Sequence, residues 1–321
     1  MQHFDADATR DALPFDRLIP ALRELFASGC EVPPRHVHTL HGADGDSATL
    51  LIMPAWLPGR FLGIKTVSVF PGNAARGLPG LHATYTLYDA ATGRPLAQMD
   101  GDQITARRTV AASALAASSL ARRDATRLLV VGAGRVAALL PAAYRAVRPI
   151  QRVEVWARRP AQAEALAARW RDDGLDAAAT TDLAGAVAAA DVVSCATLAT
   201  APLLQGAWLR PGSHLDLIGS FTPQMREADD ACFSGARVYV DTDEALRKSG
   251  DLLSPVARGA WDAGMLCGTL AGLSRGDVAG RQTEGERTVF KSVGTALEDL
   301  AAAMLVWEMR QRGAEEALKR R

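Results

Sequence analysis

Residues Gly132-Ala133-Gly134-Arg135-Val136-Ala137 follow the apolar run Arg127-Leu128-Leu129-Val130-Val131. A leucine and β-branched run that enters a glycine turn and leaves into an alanine-rich helical pattern is the layout that receives a dinucleotide pyrophosphate at a helix N-terminus. Gly132 permits the turn, Gly134 lets the backbone approach the phosphates, and Ala137 lets the helix pack close on the strand. In an alanine- and glycine-rich chain the same spacing also arises as an ordinary strand-to-helix turn. Context separates the two: a second strand candidate, Arg152–Trp156, follows one β-α-β unit later and ends in Ala157-Arg158-Arg159-Pro160. An NAD-selective site offers an acid there to the ribose hydroxyl, whereas two guanidiniums suit a 2′-phosphate. The pattern therefore predicts NADPH as the cofactor, with NAD(H) as the alternative and solvated surface arginines as the bland reading.

Three further cations stand among apolar or small neighbours: Arg35 in Pro33-Pro34-Arg35-His36, Lys65 in Leu62-Gly63-Ile64-Lys65-Thr66, and Arg108 in Thr105-Ala106-Arg107-Arg108-Thr109. Converging cations, at least one a planar Arg fork, hold a carboxylate well in a site dry enough for hydride transfer. Taken singly each is also a solvent-facing charge, and spacing alone does not bring the three together. The histidines say less. His36, His38 and His41 form no ligand set, because only the first two share a strand face and no carboxylate or cysteine completes it, so no metal is expected. His82 reads as a proton donor or a hydrogen-bonded structural residue, and His214 as the exposed start of a strand.

The elements that must carry these residues fall into two styles. A helical pattern over residues 15–27 precedes short β-rich runs at 37–40, 48–53, 61–70 and 82–88, with a hairpin loop at 89–93, which together predict a mostly antiparallel sheet. Residues 102–122 turn helical and end at the charged junction Arg122-Arg123-Asp124. Beyond it, helical stretches at 136–147 and 161–171 are followed by strand candidates at 176–179, 191–195, 214–218 and 237–240, the rhythm of a doubly wound parallel sheet. A helix over 293–312 carries Leu297, Leu300, Met304, Leu305 and Met309 at helical spacing and is expected to pack back on the first domain. The predicted fold class is α/β, a Rossmann-type doubly wound parallel sheet inserted in a split α+β substrate-binding domain, with segments 1–118, 119–295 and 296–321.

Composition narrows the function classes. Lys plus Arg and Asp plus Glu both number 36, so no broad field recruits nucleic acid or an anionic membrane. Charges such as Asp191 break every apolar run before the roughly 18 residues of a membrane span, and the N-terminus lacks the pattern of a secretion signal. Cys30, Cys195, Cys232 and Cys267 make no C-x-x-C pair and are read as reduced thiols, which predicts a cytoplasmic protein.

A resemblance supplies what spacing cannot. Gly63-Ile64-Lys65-Thr66-Val67-Ser68, Pro71-Gly72-Asn73, Thr92-Gly93, Thr105-Ala106-Arg107-Arg108-Thr109, the Gly132 loop, Arg226-Glu227 and Phe290-Lys291-Ser292-Val293-Gly294, taken in order, resemble the ornithine cyclodeaminase/mu-crystallin family. The resemblance implies a homodimer joined through the first-domain sheets and a substrate carboxylate held by Arg35, Lys65 and Arg108. It also implies that Ala196-Thr197, Ile218-Gly219 and Ser292-Val293 lie near the cofactor. Two departures choose among the family's reactions. Ornithine cyclodeaminases carry an Asp where this chain has Phe221 and a Glu where it has Leu51, two residues before Met53-Pro54. An ammonium entering such a pocket would lose hydration with no anion to pair with, a cost of several kcal/mol. A flat ring bearing a carboxylate fits better, with Phe221, Met53 and His82 around it. The expected reaction is NAD(P)H-dependent reduction of a cyclic imino acid, Δ1-pyrroline-2-carboxylate or Δ1-piperideine-2-carboxylate, to L-proline or L-pipecolate. Ornithine cyclodeamination with NAD and a non-catalytic NADPH-binding protein are the alternatives.

Overall fold

The computed structural model describes residues 1–42 and 47–319; residues 320–321 of the expected C-terminal segment lie outside them. The chain divides into two compact units, Met1–Arg108 with Thr295–Arg321, and Thr109–Gly294. The first division falls inside a helix, Gly101–Leu120, rather than at residues 118/119.

In chain order the first unit contains β1 (Gln2–Phe4), α1 (Ala6–Asp11), α2 (Phe15–Ser28), β2 (His36–His41), β3 (Ser47–Leu57), β4 (Phe61–Val69), β5 (Leu81–Asp89), β6 (Pro95–Asp100) and the start of α3 (Gly101–Leu120). Helix α2 forms because Phe15, Leu18, Ile19, Leu22, Leu25 and Phe26 recur at three- and four-residue steps and bury one stripe. The strands pair in the order β1-β6-β5-β4-β3-β2, antiparallel except for β1 beside β6. Alternation sorts their side chains to two faces. The register lines up Met53, Lys65, Tyr85, Met99 and Phe4 across five strands on one face, and all five are buried.

The second unit contains the rest of α3, then β7 (Arg127–Val131), α4 (Arg135–Arg145), β8 (Arg152–Trp156), α5 (Pro160–Asp172), β9 (Asp176–Ala179), α6 (Leu183–Ala189), β10 (Val192–Cys195), β11 (His214–Leu217), β12 (Arg237–Val240), α7 (Ala245–Lys248), α8 (Gly250–Ala257), β13 (Gly268–Thr269), α9 (Leu270–Arg275) and β14 (Thr288–Lys291). Its eight strands are all parallel, in the order β13-β12-β14-β11-β10-β7-β8-β9. The order reverses between β7 and β10, where open α/β sheets bind their ligands at the carboxyl ends. Asp216 in β11 accepts hydrogen bonds from Ser113 in α3 (3.0 Å), Tyr144 in α4 (2.9 Å) and Ser194 in β10 (2.5 Å), tying two helices to the sheet. His214 is fully buried and shares a 2.9 Å hydrogen bond with Thr288, which corrects its reading as an exposed strand start. A central parallel strand is covered on both faces, so a polar residue at its first position is buried too.

After Gly294 the chain returns to the first unit as α10 (Ala296–Lys319), which packs on α2 and on β3, β4 and β5. It buries Leu297, Leu300, Ala301, Ala302, Ala303, Leu305 and Val306, and with them Glu298 and Asp299. Among the described residues no helix is long and apolar enough to cross a membrane.

Candidate active site

In the second unit the residues after β7 build a cavity of about 360 Å³ whose walls include Gly132, Ala133, Gly134, Arg158, Arg159 and Thr197. Gly132 has φ 119°, and a Cβ on it would stand 2.5 Å from the Ala196 carbonyl oxygen, so only glycine keeps this turn against the neighbouring strand end. Gly134 is the N-cap of α4, and a Cβ there would meet nothing within 4 Å. The backbone is bare at the helix start and faces open space, the arrangement a pyrophosphate needs. Arg158 and Arg159 are exposed on the same wall, and the Arg159 Nε donates to Gln162 at 3.0 Å. These residues fit a dinucleotide. Arg135 and Val136 form the first turn of α4 behind the glycines, while Ile218, Gly219, Ser292 and Val293 are not among the walls of this cavity.

The loops at the strand ends are tied down by buried carboxylates that sequence reasoning did not single out for this role. Asp241 accepts from the backbone N–H groups of Val293 (2.7 Å) and Gly294 (2.6 Å). Burial pushes its carboxyl above the usual range although these bonds oppose the shift. Glu227 accepts from Thr197 and Gly219, and Asp251 accepts from the Glu227 N–H at 2.8 Å. Lys291, fully buried, stands 3.6 Å from Asp251 and donates to the Leu217 carbonyl at 2.9 Å. Arg226-Glu227 and Phe290-Lys291 were visible only as family motifs, since a Glu or Lys in a short polar stretch reads as solvated.

In the first unit Lys65 and Arg108 are brought together by one acid. Lys65 Nζ stands 2.6 Å from Asp299 Oδ2 and donates to the Thr105 hydroxyl at 3.4 Å; Arg108 Nε donates to Asp299 Oδ1 at 2.9 Å, and its Nη1 pairs with Glu298. All four charged side chains are buried. Burial lowers the Lys65 ammonium below its ordinary range, more than Asp299 restores it. Burial pushes Asp299 the other way, but Lys65 and Arg108 outweigh it and hold the carboxyl below the carboxylate range. Arg108 stays fully charged, because the two acids overcome its desolvation.

The acids correct the expectation of a cavity lined only by apolar groups around the cations. Leu51 and Phe221 are apolar, yet Glu298 and Asp299 enter from α10 and balance the charge. Met53 sits beside Lys65 in the register, and continuing β2 back by one residue places Arg35 opposite Met53 on the same face. Arg35 itself is partly exposed. His82 pairs with Ser68, three positions along from the Lys65–Tyr85 pair, and this odd step puts it on the opposite face of the sheet, where it is exposed, which removes it from the cation cluster. Phe221, in the loop after β11, is 47% exposed.

Comparison with known proteins shows the family. Residues 11–314 match the model of the ornithine cyclodeaminase/mu-crystallin family. The Δ1-pyrroline-2-carboxylate reductase of Paracoccus denitrificans is 47% identical over 81% of this chain and 83% of its own. A Thermococcus litoralis Δ1-pyrroline-2-carboxylate reductase solved with NADH and L-proline superposes with a TM-score of 0.90 at 31% identity, covering 98% of both chains. An archaeal alanine dehydrogenase dimer with bound NAD gives 0.87 at 28% identity, over 98% of this chain and 97% of its own. With a family model spanning residues 11–314, nearly its whole length, the chain belongs to the ornithine cyclodeaminase/mu-crystallin family.

Proposed function

We propose that this chain is an NAD(P)H-dependent reductase of cyclic imino acids, converting Δ1-pyrroline-2-carboxylate or Δ1-piperideine-2-carboxylate to L-proline or L-pipecolate. The observation that carries the reading is the joining of Lys65 and Arg108 through a single buried carboxylate in a dry niche. The Arg108 fork and Lys65, with Arg35 at the rim, bind the substrate carboxylate, which is worth most where water is excluded. Asp299 opposes the lowering that burial imposes on the Lys65 ammonium and aims it, and an ammonium lowered in this way gives a proton to the ring nitrogen more readily. A reduced dinucleotide held by its pyrophosphate at the Gly132 loop would supply the hydride for the imine carbon. Arg158 and Arg159 favour NADPH through its 2′-phosphate.

The buried acids are also what a cyclodeaminase reading would invoke for a substrate ammonium. Here both acids are already paired with Lys65 and Arg108, so a substrate ammonium would have to compete with those two cations for them. The sheet face opposite Lys65 carries Leu50, Ile52, Pro54, Leu62, Ile64 and Tyr88, all partly exposed, which supports a homodimer closing over it. All four cysteines are free, in keeping with the cytoplasm.

Following nicotinamide absorbance with five- and six-membered cyclic imines is the direct test. NADPH oxidation with either ring supports the assignment. Ammonia release from ornithine without added reductant, faster than imine reduction, replaces it with cyclodeamination; tight NADPH binding without any turnover replaces it with the binding-protein reading.

A further inference from the structure

Thr197 lines the cavity beside the glycine loop, whereas Gly219 does not, yet one side chain joins them. Glu227 Oε1 accepts from both the Thr197 N–H and the Thr197 hydroxyl at 2.7 Å, and Oε2 accepts from the Gly219 N–H at 2.7 Å. Thr197 follows β10 and Gly219 follows β11, the two strands next to β7 on the side where the strand order reverses. The fit is close: a Cβ on Gly219 would stand 2.0 Å from the Thr197 carbonyl oxygen and 2.4 Å from Glu227 Oε1, so no other residue keeps this contact. Glu227 is itself fully buried and fixed from behind, since Asp251 Oδ1 accepts from the N–H groups of Glu227 (2.8 Å) and Ala228 (3.1 Å).

We propose that Glu227 is a positioning residue of the dinucleotide site, its single carboxylate clamping the Thr197 and Gly219 backbones so that this wall is set before the nucleotide arrives. The proposal rests on reading Thr109–Gly294 as the nucleotide-binding unit and is independent of which imine is reduced. Backbone donors at two strand ends are satisfied by one acceptor that is not itself among the walls of the cavity, the arrangement that pre-organises a site. The clamp is complete only in the ionised form, because a protonated carboxyl turns one acceptor into a donor facing an N–H. Burial pushes the Glu227 carboxyl up to about 7, against Lys291 and with Asp251 adding to the rise. Lys291 on β14, Asp251 on α8 and Cys195 on β10 are the titratable groups that face it. Affinity for the dinucleotide is therefore tied to pH near neutrality.

The test uses the full chain without substrate, with NADH as ligand so that no 2′-phosphate titrates in the same range. Glu227→Gln keeps the size but can accept at only one of its two end atoms. We expect it to bind NADH about tenfold more weakly and, in the ligand-free protein, to speed amide exchange at Thr197 and Gly219. Wild type should lose NADH affinity as pH falls from 8 to 6, and Glu227→Gln should flatten that dependence. Binding within twofold of wild type at every pH, with exchange unchanged at both amides, overturns the proposal. Should Glu227→Gln not fold, Thr197→Val removes one of the three bonds. Faster exchange at Gly219, which Thr197 does not touch through its hydroxyl, then supports the clamp, and unchanged exchange there rejects it. A wild type that binds no dinucleotide at all sinks the functional reading instead.

Discussion

The two units hide charge in opposite ways. In the first, Lys65, Arg108, Glu298 and Asp299 neutralise one another side chain to side chain. In the second, Glu227 and Asp241 spend their oxygens on backbone N–H groups, and Lys291 turns partly to a carbonyl. The first arrangement holds Asp299 ionised and Arg108 charged, as the proposed reaction requires for binding a small anion. The second gives rigid loop ends at the cost of carboxyls pushed toward neutrality. Buried acids thus pair with cations in one half and hold backbone geometry in the other.

Removing an acid from the mutual network should hurt most. Asp299→Ala leaves Lys65 and Arg108 buried beside one remaining acid, and urea unfolding should show a loss of about 3–5 kcal/mol; a loss below 1 kcal/mol would mean water already reaches the cluster. The pH dependence of melting should then separate the halves by sign. Glu227 holds its proton in the folded state up to about 7 while the unfolded chain releases it near 4.5, so stability falls as pH rises through that window, by roughly 3 kcal/mol from this group. Asp299 is shifted down, so its contribution is present above the ordinary value of 3.8 and is lost as pH falls through its folded-state value. Melting curves of Glu227→Gln and Asp299→Asn should each erase one slope and spare the other.

Arg108→Ala should raise KM and lower kcat/KM by about 2–4 kcal/mol, the range for a desolvated charge-assisted contact; an unchanged value removes it from the substrate site. The smallest effect belongs to the exposed pair. Replacing Arg158 and Arg159 together by Ala should weaken NADPH by about 1–2 kcal/mol and NADH far less, as measured by fluorescence titration. Equal losses for both nucleotides would make these arginines surface charges only.

What the sequence disclosed follows the same division. The glycine loop, β7, β8 and β10 to β12 were legible because buried parallel strands read as apolar runs between turn signals. β14 was not, although it lies between β11 and β12, because Thr288-Val289-Phe290-Lys291 is four residues long and ends in a charge. β6 opens with Pro95 and continues through Ala97 and Gln98, poor strand formers that its neighbours on both sides override. Lys65 and Arg108 stood out as cations among apolar residues, but their partners did not. Glu298-Asp299 begins a helix, where acids are the ordinary dipole-compensating choice and read as solvated. The signal that could have found them is their setting: they sit between Leu297 and Leu300 in a segment whose following alanines leave no polar face.

Helix α10 carries one more consequence, for how the protein is made. Asp299 follows Arg108 by 191 residues, with the whole of Thr109–Gly294 between them. A nascent chain therefore exposes the nucleotide-binding unit, complete, while two cations on the earlier half still lack their counter-ions. Ribosomal release ahead of Thr295 would therefore leave Lys65 and Arg108 without Glu298 and Asp299, the acids that pair with them.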